Sequence, residues 1–275
     1  MERVNKGRAT LYFVLCFGIS WTAAFLLVAS RLCRGEHLQK FDGILMFPLM
    51  LLGPPLAGIT LTLIEDGRAG WKNLLSRLSF RGWTNRSWLF LLLIPPVLIG
   101  MVLFTFSKLS GAVYSPNFFA AGFIFGLMAG FLEEIGWMGF VFPELRYKYS
   151  FLSTSLLLGF LWGCWHLPVM DFLGAATPHS HWLPGFFIVF VFVMMAVRIL
   201  ICMLYSKTGS IIPAMLLHAS STGYLATLSP PRVSASQEVC WYFAYGILLW
   251  ISVFLIYKYQ FPSTKQQESK MSVKN

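Results

Sequence analysis

The chain is a succession of apolar runs. Eight stand out, at about 10–30, 43–64, 87–107, 117–145, 151–170, 183–205, 210–229 and 239–259. A helix needs about 20 such residues to cross bilayer hydrocarbon, where no water can satisfy backbone N–H and C=O groups. The runs therefore predict an all-α, polytopic transmembrane helical bundle of about eight membrane helices. Charge supports this: 12% of residues are charged, against about 25% in soluble domains. The first run, Leu11 to Ser30, is too long for the core of a cleavable signal and is read as a retained helix.

The net charge of +10 is a topology signal. With the N-terminus placed in the cytoplasm, fifteen Lys and Arg fall in inside segments, among them Arg3, Lys6, Arg8, Arg68, Lys72, Arg77, Arg81, Arg146, Lys207 and Lys258. Five fall outside: Arg31, Arg34, Lys40, Lys108 and Arg232. Inside-positive bias thus predicts both termini in the cytoplasm. Basic residues confined to short loops argue against a nucleic-acid partner and for the lipid bilayer. Between the second and third runs, EDGRAGWKNLLSRLSFRGW (65–83) alternates Trp71, Leu74, Leu75 and Leu78 with Arg68, Lys72, Arg77 and Arg81 at helical spacing. It reads as an amphipathic helix in the interface. Residues 1–260 are expected to form a single integral-membrane domain, and 261–275 a disordered polar tail. The doublets Pro54-Pro55, Pro95-Pro96 and Pro230-Pro231 mark kinks or helix ends.

Few ionisable residues remain inside the runs: Glu133, Glu134, His166, Arg198 and His218. Such residues are costly in lipid, face the protein interior and mark function by default. At 1.5 Å per residue, Glu133 lies roughly 18 Å deep, His166 roughly 22 Å and His218 roughly 13 Å. One carboxylate and two imidazoles on three helices thus share a layer near mid-membrane.

Two chemistries fit that layer. Glu133, His166 and His218 form a His₂Glu set suited to a catalytic zinc ion, leaving one position for water. Without a metal, Glu133 takes a proton from water, His166 orients it and His218 donates to the oxyanion. Both give hydrolysis. No GxSxG motif supports a serine nucleophile. Trp137, Trp162 and Trp165 flank the layer and read as packing residues. His179 and His181, in TPHSHWLPG, read as members of a solvated loop, and the five cysteines as small apolar residues.

Three short motifs carry a resemblance. EEIGWM (133–138) opens with the Glu pair, WGCWH (162–166) places an aromatic residue four before a His, and HASST (218–222) follows a His with a hydroxyl residue. In this order on successive helices they resemble the CAAX prenyl protease and bacteriocin-processing (Abi-type) family of intramembrane proteases, which includes lysostaphin-resistance-like proteins. The resemblance covers residues 117–225, and GPPLAG (53–58) and TGSIIPAMLLHA (208–219) agree with its bacterial members.

The resemblance implies hydrolysis of a peptide bond in or next to the membrane of a membrane-associated peptide or protein substrate. It puts the base or metal-ligand role on Glu133, with Glu134, His166, His218 and Thr222 completing the site. Three positions depart from the family pattern. Met138 stands where the family has Arg, Trp162 where it has Phe, and Thr222 where it has Asn or Asp. A weakened or inactive member acting as an immunity or scaffold protein is the alternative, and a proton-coupled transporter a third reading. Met138 leaves Glu134 without its helix-internal partner, so Arg198 is expected to pair with it. Otherwise Arg198 would snorkel along Tyr205.

Overall fold

The computed structural model describes residues 7–79 and 86–260. Among the described residues there is no strand, and seven helical stretches are long and apolar enough to cross a membrane. The first is α1 (Arg8–Cys33). The second is broken, as α2 (Lys40–Met50) and α3 (Gly53–Arg77), because Pro54 and Pro55 occupy the first turn of α3. Pro95 and Pro96 likewise open α4 (Ile94–Leu109), and Pro230 follows the end of α9 (Ile211–Leu228). All three doublets therefore stand at helix boundaries. The set of seven is completed by α5 (Ala121–Gly136) running on to α6 (Phe142–Arg146), by α8 (Leu183–Thr208) and by α10 (Ala235–Gln260), while α7 (Phe151–Trp165) is a shorter apolar helix. The chain is an integral, multi-pass membrane protein.

The fifth apolar run, 151–170, is present but its helix is shorter than the sequence suggests. α7 has 15 residues and stops at Trp165 instead of running to residue 170. Pro168 disfavours helical backbone at the residue before it, so the chain turns into a 3₁₀ segment, Leu167–Phe172. His166 is consequently the C-cap of α7 and not an interior helix residue.

The amphipathic stretch is helical to Arg77 but continuous with α3, across a kink at Gly67 where φ is 59° and ψ is −147°. A side chain at that φ would be strained, which is why glycine sits there. Leu74 is buried and meets Gly139, whereas Leu75 is exposed. Arg77 donates to the Gly139 carbonyl at 2.7 Å and to the Tyr205 hydroxyl at 3.0 Å. Residues 80–83 of this stretch, with Arg81, lie outside the described residues, as do Arg3, Lys6 and the tail expected over 261–275.

Two features place the functional layer. The first is a seam of small residues between α5 and α9. A Cβ on Gly126 would lie 2.4 Å from Gly223 Cα, and one on Gly130 would lie 2.4 Å from the Met215 carbonyl. Backbones approach this closely in membranes only through small residues, and dispersion then holds them. The seam draws the end of α5, which carries Glu133 and Glu134, against His218. The second is the turn joining α8 to α9. Gly209 is left-handed (φ 65°) at the end of α8, and the Ser210 hydroxyl caps α9 by accepting from the Ile212 N–H at 3.3 Å.

Basic residues gather at one end of the bundle. Arg8 pairs with Glu65, with Asp66 at 2.6 Å and with Glu144 at 3.3 Å, joining α1, α3 and α6. At the opposite end the solvated loop expected around His179 is corrected: His179 is fully buried, between Asp171 and Glu238. Two carboxylates and a stacked Phe186 ring, 4.0 Å between centroids, hold it in the protein.

Candidate active site

Glu133 and Glu134 close α5, both fully buried. The chain then makes a single π-helical turn, Trp137–Val141, before α6. Such turns insert one extra residue into the helical register and are frequent at functional sites. Here the turn sits directly after the Glu pair. Trp137 lies four residues after Glu133, and its indole N–H donates to Glu133 Oε2 at 3.1 Å. The Trp162 indole, from α7, donates to the same oxygen at 2.7 Å. Glu133 Oε1 is buried with no hydrogen-bond partner and lies 3.9 Å from His218 Nε2.

Glu134 is held differently. Arg198 Nη1, from α8, donates to both of its oxygens at 2.8 Å. His218 Nδ1 is 2.7 Å from Glu134 Oε1. A carboxylate can only accept, so the proton lies on Nδ1 of His218. Arg198 is fully buried, and its guanidinium lies 4.0 Å over the Trp162 ring. Arg198 therefore pairs with Glu134 and does not snorkel, while Met138, at the position where the family has Arg, is fully buried.

His166 contacts the others through Trp162. Its Nδ1 is 2.8 Å from the Trp162 carbonyl, so this nitrogen also carries the proton. Its ring is enclosed by Trp165 at 4.9 Å, Phe190 at 5.1 Å and Phe47 at 5.9 Å between centroids. The Trp162 ring is 5.8 Å from His166 and 4.9 Å from His218. Glu133, His166 and His218 are thus gathered around one indole, and Glu134 joins them through His218 and Arg198. Thr222 is half-buried one turn beyond His218, and no hydrogen bond joins it to the cluster among the described residues.

Sequence reasoning took Trp137 and Trp162 as packing residues. A buried indole N–H usually finds an acceptor, as Trp137 and Trp162 do in Glu133, although those of Trp165 and Trp241 do not. The metal expectation was put to the donors themselves. Both imidazoles spend Nδ1 on oxygen partners and leave Nε2, the pattern that orients a metal-binding His. Even so, no three His, Cys, Asp or Glu side chains among the described residues converge closely enough to hold a metal ion.

The centre of this helical membrane bundle thus holds a carboxylate–imidazole cluster in which one carboxylate is neutralised by Arg198 and the other keeps a bare oxygen. Residues 115–223 match the family described as Type II CAAX prenyl endopeptidase Rce1-like. CAAX prenyl protease 2 of Methanococcus maripaludis is 26% identical over 182 residues, 60% of this chain and 64% of that relative. The chain spans under two thirds of the length of this curated relative. Over these residues the chain is similar to the CAAX prenyl protease family.

Proposed function

We propose that the chain is an intramembrane endopeptidase that hydrolyses a peptide bond in a membrane-associated peptide or protein, with Glu133 as the general base. One observation carries the reading: Glu133 Oε2 is fixed by two indole donors while Oε1 is buried, unpartnered and 3.9 Å from His218 Nε2. That separation is too long for a hydrogen bond and suits two acceptors sharing one water. The water donates one proton to Oε1 and the other to Nε2, so its lone pair points away from both. As it attacks the peptide carbonyl carbon, its proton passes to Glu133 and the carbonyl becomes an oxyanion. When the C–N bond breaks, Glu133 returns that proton to the leaving nitrogen. His218, held at Nδ1 by Glu134, keeps Nε2 as the acceptor that orients the water. His166 helps orient the water from the Trp162 side.

In this reading Glu134 and Arg198 form the support for His218 and take no proton. The substrate is approached within the bilayer. The name of the Methanococcus maripaludis relative makes a prenylated C-terminal peptide one candidate; a bacteriocin-like precursor is another. Both termini are placed in the cytoplasm, from the charge pattern.

The test compares membrane peptides, by mass spectrometry, from cells carrying the wild type and Glu133→Gln. Specific fragments should vanish in the variant. Identical peptide profiles would leave the scaffold reading, which the Met138 and Thr222 departures favour. A chelator arm separates a zinc enzyme: loss of fragments on chelation and recovery with zinc would restore the metal role of Glu133, His166 and His218.

A further inference from the structure

We propose that Glu238, far from the cluster in sequence, is a positioning residue for His166. It clasps the loop that follows His166 against α10 and closes the outer end of the site. The inference rests on the reading of His166 as a site residue.

His166 is placed by what comes after it. It is the C-cap of a short helix, beyond the helix's own ladder, and the Val169 N–H donates to its carbonyl at 3.0 Å. The following loop crosses the bundle from α2 to α10. On the α2 side the Phe172 ring fills the space over Gly43, where a Cβ would lie 2.2 Å from it. On the α10 side Glu238, fully buried, accepts from the Ala175 N–H at 2.8 Å with Oε1 and from the Ala176 N–H at 2.7 Å with Oε2. Gly174 makes this bidentate fit possible: its φ is +86°, and a Cβ there would lie 2.3 Å from Glu238 Oε1.

His179 closes the clasp. Its backbone N–H donates to Asp171 Oδ1 at 2.7 Å, its Nδ1 lies 3.2 Å from the same oxygen, and its Nε2 lies 3.4 Å from Glu238 Oε2. The loop is therefore tied to itself through Asp171 and to the bundle through Glu238. A loop needed only for connection would not bury a carboxylate, since that costs more than its pairing returns unless every acceptor is used. Its one evident service is to fix the residues next to His166.

Glu238→Gln is isosteric but points an NH₂ donor at one of the two backbone N–H groups. Charge-assisted bonds to backbone are strong enough that losing one should raise loop opening roughly tenfold. The readouts need no substrate. In detergent, below the melting transition, amide exchange over 173–178 should quicken and diethylpyrocarbonate should modify His166 several-fold faster. His218, on α9, serves as the internal control and should not change. Gly174→Ala, which displaces the carboxylate from the other side, should act the same way if Glu238→Gln does not fold. Unchanged exchange and unchanged His166 labelling would overturn the proposal. So would equal gains at His166 and His218, which would mean that Glu238 merely stabilises the whole bundle. Because labelling needs no turnover, identical peptide profiles for wild type and Glu133→Gln would count against the protease reading and not against the clasp.

Discussion

The bundle holds two buried clusters in which an imidazole meets two carboxylates, and they are satisfied differently. In the clasp near one end, both oxygens of Glu238 accept backbone N–H groups and His179 lies against the second carboxylate, Asp171. In the central cluster, Glu134 is saturated by Arg198 and His218, but Glu133 keeps a buried oxygen with no partner. A buried polar atom without a partner costs about 1–3 kcal/mol. The clasp leaves an imidazole nitrogen, His179 Nε2, without a partner but gives both Glu238 oxygens donors, whereas the centre leaves a carboxylate oxygen bare, where a reactant can relieve the cost. The contrast assigns chemistry to the centre and support to the end.

The comparison predicts opposite effects of removing each carboxylate. Glu133→Gln should lower turnover by about 10²–10⁴, the usual contribution of a general base, and leave thermal stability unchanged or higher. Glu238→Gln should lower stability by about 1–3 kcal/mol, read by thermal unfolding in detergent. Loss of stability in Glu133→Gln as large as in Glu238→Gln would erase the distinction.

Arg198→Met should be the most destabilising change at the centre. It strands Glu134 as an uncompensated buried charge, at about 3–5 kcal/mol. Met138→Arg in that background should recover part of the loss, since residue 138 stands one turn from Glu134. The two single variants and the double yield a coupling energy. Zero coupling would mean that Met138 and Arg198 are not alternative partners for one carboxylate.

Trp162→Phe keeps a ring under Arg198 and removes the shorter donor to Glu133 Oε2. Losing one hydrogen bond to a charged group should slow turnover by roughly tenfold while Trp137 still holds the oxygen. KM should change little, because the lost bond orients the base and not the substrate. A change confined to KM would place Trp162 in substrate binding instead. The smallest effect is expected from Thr222→Ala, since no hydrogen bond joins Thr222 to the cluster. Both turnover and melting temperature should stay near wild type, and a large loss of turnover would show that the family's third motif still acts here.

Much of this was legible in the sequence, for a physical reason. In a membrane the cost of charge makes each ionisable residue conspicuous, so Glu133, Glu134, His166, Arg198 and His218 stood out and their shared depth followed from helical rise. The Arg198–Glu134 pair was foreseeable because the motif's own partner was replaced by Met138. The indole donors were not, since a tryptophan in an apolar run looks the same whether it packs or donates. The π turn leaves no periodic trace over five residues. Pro168 did signal the early end of α7, but the apolar run continues past it and masked the stop. The clasp was hidden by separation: Glu238 lies 63 residues beyond Ala175 and at the edge of a run that reads as a membrane helix.

The most direct test of the central role of Glu133 is turnover by purified protein in liposomes, using a membrane peptide found by the wild-type and Glu133→Gln comparison. The Glu133→Gln protein should bind the peptide and melt like wild type, yet cleave at least about a hundredfold more slowly. Cleavage at the wild-type rate by a folded Glu133→Gln protein would contradict the account, because no other carboxylate at the centre of the bundle has an oxygen free to take the proton.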